Sequence, residues 1–375
     1  MTMPQTLLSP DNGYADLDAW LATVAPRALF LVCDPSLKFL TRFNAKLDDI
    51  AARLPVVRFS DFQPNPLYES VVAGVEAFRA SWADAILAVG GGSAIDVAKC
   101  IKLYATLDPS KNYLKQEIVP NSIPLLAMPT TAGTGSEATR YAVVYCEGAK
   151  QSIAHESAIP SAVLLDPSCL ETLPLYQKKA TAMDALCHAV ESCWSVHSTP
   201  ESQEYSRDAI RLVLSRLSAY LAGDSASNAP MLRAAHLAGH AIDITQTTAG
   251  HALCYKLTSL FGVSHGHAAI LCDRVLFPWM LDKLDRCADP RGPAHLADAF
   301  QRIADAMDCP TPADAAAKLA ALFDSLGLSV PSATPEQFDE LCANVNPVRL
   351  KNHPIALTAA DIADLYRRIL APASL

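Results

Sequence analysis

Asp184 and His188 stand four positions apart in TAMDALCHAVESCWS, a stretch of helical pattern, so both side chains leave one face about one turn apart. One metal ion can reach both. His251 lies in a second helical stretch, AGHALCYKLTSLF, and His265 follows the break at Gly262, with Gly266 allowing a tight turn. Three imidazoles and one carboxylate suit Zn²⁺ or Fe²⁺ and leave room for a substrate oxygen. A lone histidine carries no such meaning: the chain has 10, and His236, His240, His295 and His353 read as ordinary core or surface residues. The combination of an i,i+4 Asp/His pair with a His-rich glycine turn raises these four above that background.

A second kind of chemistry is written upstream. An apolar run ending at Val89 leads into Gly90-Gly91-Gly92-Ser93 and then into AIDVAKCIKLYATL, a helical stretch in which Ser93 and Asp96 are spaced as a capping pair. Glycines without Cβ atoms let the backbone approach a diphosphate, and the helix start supplies N–H groups and positive potential. A further small-residue loop, Pro129-Thr130-Thr131-Ala132-Gly133-Thr134-Gly135-Ser136-Glu137, follows the next apolar run. Both loops fall where open α/β sheets bind ligands, and the pair favours a dinucleotide. Thr130, Thr131, Thr134 and Ser136 offer hydroxyls to phosphate, ribose or carboxamide, or else to their own loop, and Lys150 adds a cation for the cofactor. Asp34 ends the first apolar run, where a carboxylate can bind an adenosine ribose and repel a 2′-phosphate, which favours NAD(H) over NADP(H); Asp34-Pro35 also reads as a plain turn opening.

These residues need a scaffold. The runs ALFLVC (28–33), PVVRF (55–59), AILAV (85–89) and IPLLAM (123–128) alternate with helical stretches and predict a mostly parallel sheet with crossover helices. Asn65 and Pro66 look like an N-cap and first helical residue, with Leu67, Val71, Val75, Phe78 and Trp82 as the apolar stripe. Further extended segments are expected at Tyr141 to Cys146 and Ala162 to Leu165, the latter closed by Asp166-Pro167. From about Leu175 the period becomes helical, with stripes at Ile210, Val213, Leu214, Leu217 and Leu221 and at Leu296, Phe300, Ile303 and Met307. The expectation is an α/β Rossmann-like N-terminal domain, 1–170, and an all-α metal-binding and substrate domain, 171–375, with a cleft between them.

Composition narrows the class. Of 375 residues 51% are hydrophobic and 18% charged, the balance of a globular protein, and the net charge of −9 without a basic stripe excludes a nucleic-acid binder. The 11 cysteines are scattered without a CxxC pair and read as reduced core thiols. No apolar run has the length of a membrane span and the opening MTMPQTLLSP lacks a basic signal region, so a cytoplasmic protein with no membrane partner is expected.

Together GGGSAIDVAK, PTTAGTGSEAT, MDALCHAVES and GHAL…SHGHA resemble, in order, the motifs of the iron-containing (group III) alcohol dehydrogenase family, whose fold is shared with dehydroquinate synthase. The resemblance spans nearly the whole chain. It implies that Asp184, His188, His251 and His265 hold the metal, that Gly91, Gly92 and Ser93 contact the diphosphate, that Thr131 and Thr134 lie near the nicotinamide, and that the protein is a homodimer or larger homo-oligomer. Many members carry a proton-relaying histidine four residues after the third ligand; here that position is Tyr255, a poorer base at neutral pH, with His267 as a second catalytic candidate. YKLTSL, GVSHGHA and NPVRLKNHP are most similar to the phosphonoacetaldehyde reductase branch, which makes 2-hydroxyethylphosphonate. A phosphonate substrate needs cations, and Arg140, Lys150, Lys256, Arg349 and Lys351 are the candidates, each of which also reads as a solvated surface charge.

The resemblance implies reduction of an aldehyde by hydride from the nicotinamide, with the metal as Lewis acid and a final proton from water, ribose, Tyr255 or His267. Two other readings are a general short-chain alcohol dehydrogenase of the same family and a dehydroquinate synthase-like cyclase that returns its hydride within one turnover. A metal-less binding module of this fold would have lost a ligand residue, and none is lost here.

Overall fold

The computed structural model describes residues 5–345 and 347–371, with the side chains of 347 and 348 left aside. It divides into two units, Met1–Leu173 and Pro174–Leu375.

The first unit carries strands β1 (Thr6–Leu8), β2 (Leu29–Cys33), β3 (Val56–Phe59), β4 (Ala85–Gly90), β5 (Leu125–Pro129), β6 (Tyr141–Cys146), β7 (Ala149–Ala154) and β8 (Ala162–Leu164). Its helices are α1 (Asp11–Val24), α2 (Thr41–Ala51), α3 (Tyr68–Ala80) and α4 (Gly92–Tyr104). Six strands form one parallel sheet in the order β1-β8-β5-β4-β2-β3. Both faces are covered, which is why the strands read as continuous apolar runs. In β2, Phe30 and Val32 enter the core on one face, and Leu29, Leu31 and Cys33 the core on the other; Ile86 and Ala88 of β4 alternate with Ala85, Leu87 and Val89 in the same way. The chain leaves β2 for β3 on one side and returns to β4 on the other, so the loops after β2 and β4 open side by side at a topological switch point.

Several local expectations are corrected. Helix α3 begins at Tyr68 instead of Pro66, because Asn65 takes a left-handed φ of 58° and Leu67 bridges to Tyr145, leaving Leu67 55% exposed. Trp82 is likewise outside the helix, at φ 56° and 80% exposed. The run at Tyr141 to Cys146 is extended as expected, forming β6, which pairs antiparallel with β7 in a separate two-stranded sheet. Ser93 and Asp96 form no capping box: Gly91 is the N-cap of α4 without a side-chain bond.

Among its described residues the second unit is helical: α5 (Leu175–Trp194), α6 (Pro200–Leu221), α7 (Asn228–Thr245), α8 (Ala249–Phe261), α9 (His265–Leu281), α10 (Pro293–Ala306), α11 (Pro312–Leu326), α12 (Pro335–Ala343), α13 (Pro347–Leu350) and α14 (Ala359–Ile369). Helix α5 is central, buried along most of its length and packed by α6, α7 and α9. Pro at the first turn of α6, α10, α11 and α12 marks each start, and Thr199, Thr311, Thr334 and Thr358 cap α6, α11, α12 and α14 through their hydroxyls. No helix among the described residues is long and apolar enough to cross a membrane.

Candidate metal centre and cofactor loops

Helix α5 presents Asp184 and His188 one turn apart, and α8 brings His251 across to them. One donor atom from each lies within 4.8 Å of the others, and all three residues are buried. The rings of His188 and His251 stack at 4.5 Å, and that of His265 stands 5.2 Å from His251 at an angle of 66°. His265 reaches this place because α9 starts hard against α5. A Cβ on Gly266 would meet the carbonyl oxygen of Ala180 at 2.0 Å and Cβ of Asp184 at 2.6 Å, so only glycine allows the approach.

These donors fit a cation. Asp184 Oδ1 and His251 Nε2 are buried without a hydrogen bond and face each other at 3.6 Å, too far to satisfy one another and close enough to share an ion. Burial pushes the Asp184 carboxyl up, yet the charges of His188, His265 and His251 together hold it below the ordinary carboxylate value. The ligand chemistry, two or more imidazoles with one carboxylate, suits Fe²⁺ or Zn²⁺ alike.

Behind the cluster lies a carboxylate that the sequence reading passed over. Glu191, fully buried on α5, pairs with Nδ1 of His251, and its other oxygen accepts from Thr248 N at 2.6 Å and Thr248 Oγ1 at 2.5 Å. Trp194 Nε1 in turn donates to Thr248 Oγ1 at 2.9 Å. Burial raises the Glu191 carboxyl, but His251 and Thr248 outweigh it and leave the group below its usual value. A Cβ on Gly250 would lie 2.8 Å from Glu191 Oε1 and 1.8 Å from Asp273 Oδ1, so α8 can dock there only through glycine. Asp273 itself is buried without hydrogen-bond partners, and burial together with the Glu191 charge raises it well above the carboxylate range. The spacing of Asp184, His188 and Glu191 on one helix face is the signal by which Glu191 was open to detection.

The two catalytic candidates part company. The Tyr255 ring lies parallel to that of His265 at 5.7 Å, with 4° between the planes. His267 is turned to other partners: Nε2 meets Ser329 O at 2.8 Å and Nδ1 meets the Tyr176 hydroxyl at 3.1 Å, with burial lowering its basicity. Cys254 Sγ stands 3.6 Å from His265 Nδ1.

In the first unit the carboxyl ends of β2, β4 and β5 gather the cofactor candidates. Gly91 packs beside Thr131, and Gly92 abuts Thr134 so closely that a Cβ would fall 2.9 Å from its methyl. Asp34 turns inward: Oδ2 accepts from Gly91 N at 2.9 Å and Oδ1 from Ser36 N at 2.8 Å. It therefore braces the glycine loop at the start of α4. Thr130 Oγ1 meets Ser36 Oγ at 3.3 Å, and Thr134 Oγ1 accepts from Ser136 N at 3.2 Å. Asp96 accepts from Ser136 Oγ at 2.7 Å and Val143 N at 3.0 Å, so Asp96 and Ser136 tie the second loop to α4. Lys99, unmarked in the sequence reading, completes that tie from within the core, reaching Ser136 O, Thr139 O and Tyr141 O at 2.5, 2.7 and 2.7 Å. Lys150 sits on β7, where its charge acts on Asp96.

The candidate phosphonate cations are dispersed. Arg140 lies 3.6 Å from Glu156, Lys256 pairs with Glu340 at 2.6 Å, and Lys351 is exposed. Arg349 Nη1 donates to Gln246 Oε1 at 2.7 Å.

Comparison with known proteins agrees with this geometry. Residues 4–167 match the model of the iron-containing alcohol dehydrogenase domain, and residues 178–370 that of the C-terminal domain of the Fe-containing alcohol dehydrogenase family. Phosphonoacetaldehyde reductase of Streptomyces viridochromogenes is 34% identical over 292 residues, 73% of this chain and 72% of that protein. Long-chain-alcohol dehydrogenase 1 of Geobacillus thermodenitrificans is 31% identical over 252 residues, 65% of this chain and 62% of its own length. Among solved structures, sulfoacetaldehyde reductase from Bifidobacterium kashiwanohense in complex with NAD⁺ superimposes with a TM-score of 0.82 at 25% identity, over 98% of this chain and 97% of that one. The chain belongs to the iron-containing alcohol dehydrogenase family and is an oxidoreductase of its alcohol dehydrogenase and aldehyde reductase class.

Proposed function

We propose that the protein reduces an aldehyde to a primary alcohol with NAD(P)H, and that its substrate is phosphonoacetaldehyde, giving 2-hydroxyethylphosphonate. The observation that carries the reading is the buried meeting of Asp184, His188 and His251 within 4.8 Å, with two donor atoms lacking hydrogen bonds. His265 is the fourth candidate ligand. Support for the substrate comes from the Streptomyces relative and from the NAD⁺-bound sulfoacetaldehyde reductase, both named for aldehydes with an anionic tail.

When bound, the divalent metal polarises the aldehyde oxygen and the nicotinamide supplies the hydride. The balance is RCHO + NAD(P)H + H⁺ → RCH₂OH + NAD(P)⁺. Glu191 takes the proton of His251 Nδ1 as its hydrogen-bond partner and so leaves Nε2, the atom facing Asp184, as the donor. Tyr255 lies parallel to the His265 ring and helps to hold its orientation. Of the two side chains considered for the final proton, His267 uses both nitrogens elsewhere, so Tyr255, a ribose hydroxyl or water remains as the source. On the cofactor side, Asp34 and Lys99 hold the loops whose backbone amides receive the diphosphate.

The test is loss of NADH absorbance by metal-reconstituted protein with phosphonoacetaldehyde and with propanal, before and after chelation. Chelator-sensitive turnover that prefers the phosphonate is the expected result. Equal rates would leave a general aldehyde reductase, and no net NADH oxidation with any aldehyde would overturn the reading in favour of a cyclase.

A further inference from the structure

Helices α8 and α9, which carry His251 and His265, are joined only by Gly262-Val263-Ser264. Gly262 turns the chain at a φ of 66°, and Ser264 is the N-cap of α9 without a side-chain cap. The first N–H groups of a helix have no acceptor within it and must find one elsewhere. That of Ser264 finds it on α5, donating to the Tyr176 hydroxyl oxygen at 3.0 Å, while Gln177 Nε2 reaches Ser264 Oγ at 3.4 Å.

The direction of each bond around Tyr176 follows from the ends of the network. A carbonyl oxygen can only accept, so His267 Nε2 donates to Ser329 O across 2.8 Å. A neutral imidazole with its proton on Nε2 has a bare Nδ1, and this atom accepts from the Tyr176 hydroxyl at 3.1 Å. The hydroxyl spends its one proton on His267, and its oxygen is left to accept from Ser264 N. His267 is 1% exposed and anchored in the core, whereas Tyr176 is 40% exposed. The rings meet edge-on at 5.9 Å, with 77° between their planes.

This network bears on the metal centre through α5. Tyr176 stands about two turns before Asp184 on that helix, which also carries His188, so one element holds two candidate ligands and the hydroxyl that fixes the start of α9. His265 lies between Ser264, bound by Tyr176, and Gly266, pressed against Ala180 and Asp184. Asp184, His188 and His251 are 2%, 5% and 1% exposed, but His265 is only half-buried. His265 is thus the outermost of the four, and it is held in part by a hydroxyl at the surface. Such exposed bonds open more often than those of the core.

We infer that Tyr176, oriented by His267, is a positioning residue for the metal centre: its hydroxyl latches the start of α9 to α5, holds His265 in place and so slows release of the metal. The inference rests on the reading of His265 as the fourth ligand. His267, considered above for proton transfer, takes the role of orienting the latch.

The experiment mixes the Zn²⁺-loaded full chain with an excess of a chromogenic chelator and follows the rate of Zn²⁺ release. Wild type is compared with Tyr176→Phe, His267→Leu, the double variant, His267→Asn and His265→Ala, and circular dichroism checks that each is folded. Tyr176→Phe and His267→Leu should each release Zn²⁺ about 10-fold faster. The double variant should be no faster than either, because both changes break one latch. In His267→Asn the amide oxygen stands in for Nδ1 as acceptor, and most of the loss should be recovered. A purely structural role for the two side chains would give neither this saturation nor this rescue. Release from His265→Ala at the wild-type rate would remove His265 as a ligand and the inference with it. Fast release from His265→Ala with Tyr176→Phe at the wild-type rate would overturn the latch and leave the ligand reading intact. Effects that multiply in the double variant, or no recovery in His267→Asn, would overturn the orientation of Tyr176 by His267.

Discussion

A carboxylate that accepts a hydrogen bond from an imidazole on the side away from a metal decides which nitrogen can act as ligand. Glu191 holds that position for His251, and replacing it with glutamine keeps its shape while removing its charge. Glu191→Gln should weaken metal binding by about 10- to 100-fold, measured by competition with a chelator of known affinity. Unchanged affinity would leave Glu191 a folding role only. Asp184 and His188 were legible in the sequence because their spacing on a helix fixes their proximity before any tertiary contact is known. Glu191 shares that face but reads as one more helix glutamate, because its partner, Thr248, is remote in sequence. His353 reads as a bland histidine for the same reason: its burial and its unpartnered nitrogens are created by segments distant along the chain.

At the scale of elements, the parallel sheet was legible wherever a strand is buried on both faces, since such strands are unbroken apolar runs. β2, β4 and β5 are of this kind. β1, with three residues, and β7, whose AKQSIA run has one buried position, carry too little apolar signal. The start of α3 was misplaced because an Asn-Pro pair fits a helix start as well as it fits the turn found here, and the bridge from Leu67 to Tyr145 settles the matter from outside the segment. The junction of α5 and α9 shows how an element's placement depends on one missing atom. In Gly266→Ala the new methyl would overlap the Ala180 carbonyl, so α9 must retreat and carry His265 with it. The expected cost is about 2 kcal/mol or more in denaturant unfolding, accompanied by loss of bound metal. Wild-type stability and metal content in this variant would show that the helices can adjust without moving the ligand.

For the molecule as a whole, the low charge density and the apolar composition pointed to a large buried core, and the buried side chains on both faces of the sheet and throughout α5 form one in each unit. Such a core also takes in groups that resist protonation, and this sets how stability depends on pH. Burial holds His353 at about 4 in the folded chain, with the Glu191 charge opposing it, against about 6.5 for an exposed imidazole. Between those values the unfolded chain binds a proton that the folded chain refuses. Stability therefore falls as pH is lowered from about 6.5 toward 4 and levels off below, a change of about 3 kcal/mol from this residue. Ion-paired carboxylates such as Asp361, held low by Arg286, lose their contribution only below about 4, so the two windows separate. His267 and His295, also lowered by burial, share the upper window, and the residue is isolated by comparison with His353→Phe, which keeps a ring but cannot titrate. Denaturant unfolding across this range should give a shallower pH dependence in the variant by about that amount; parallel curves would mean that the imidazole titrates alike in the folded and unfolded chain.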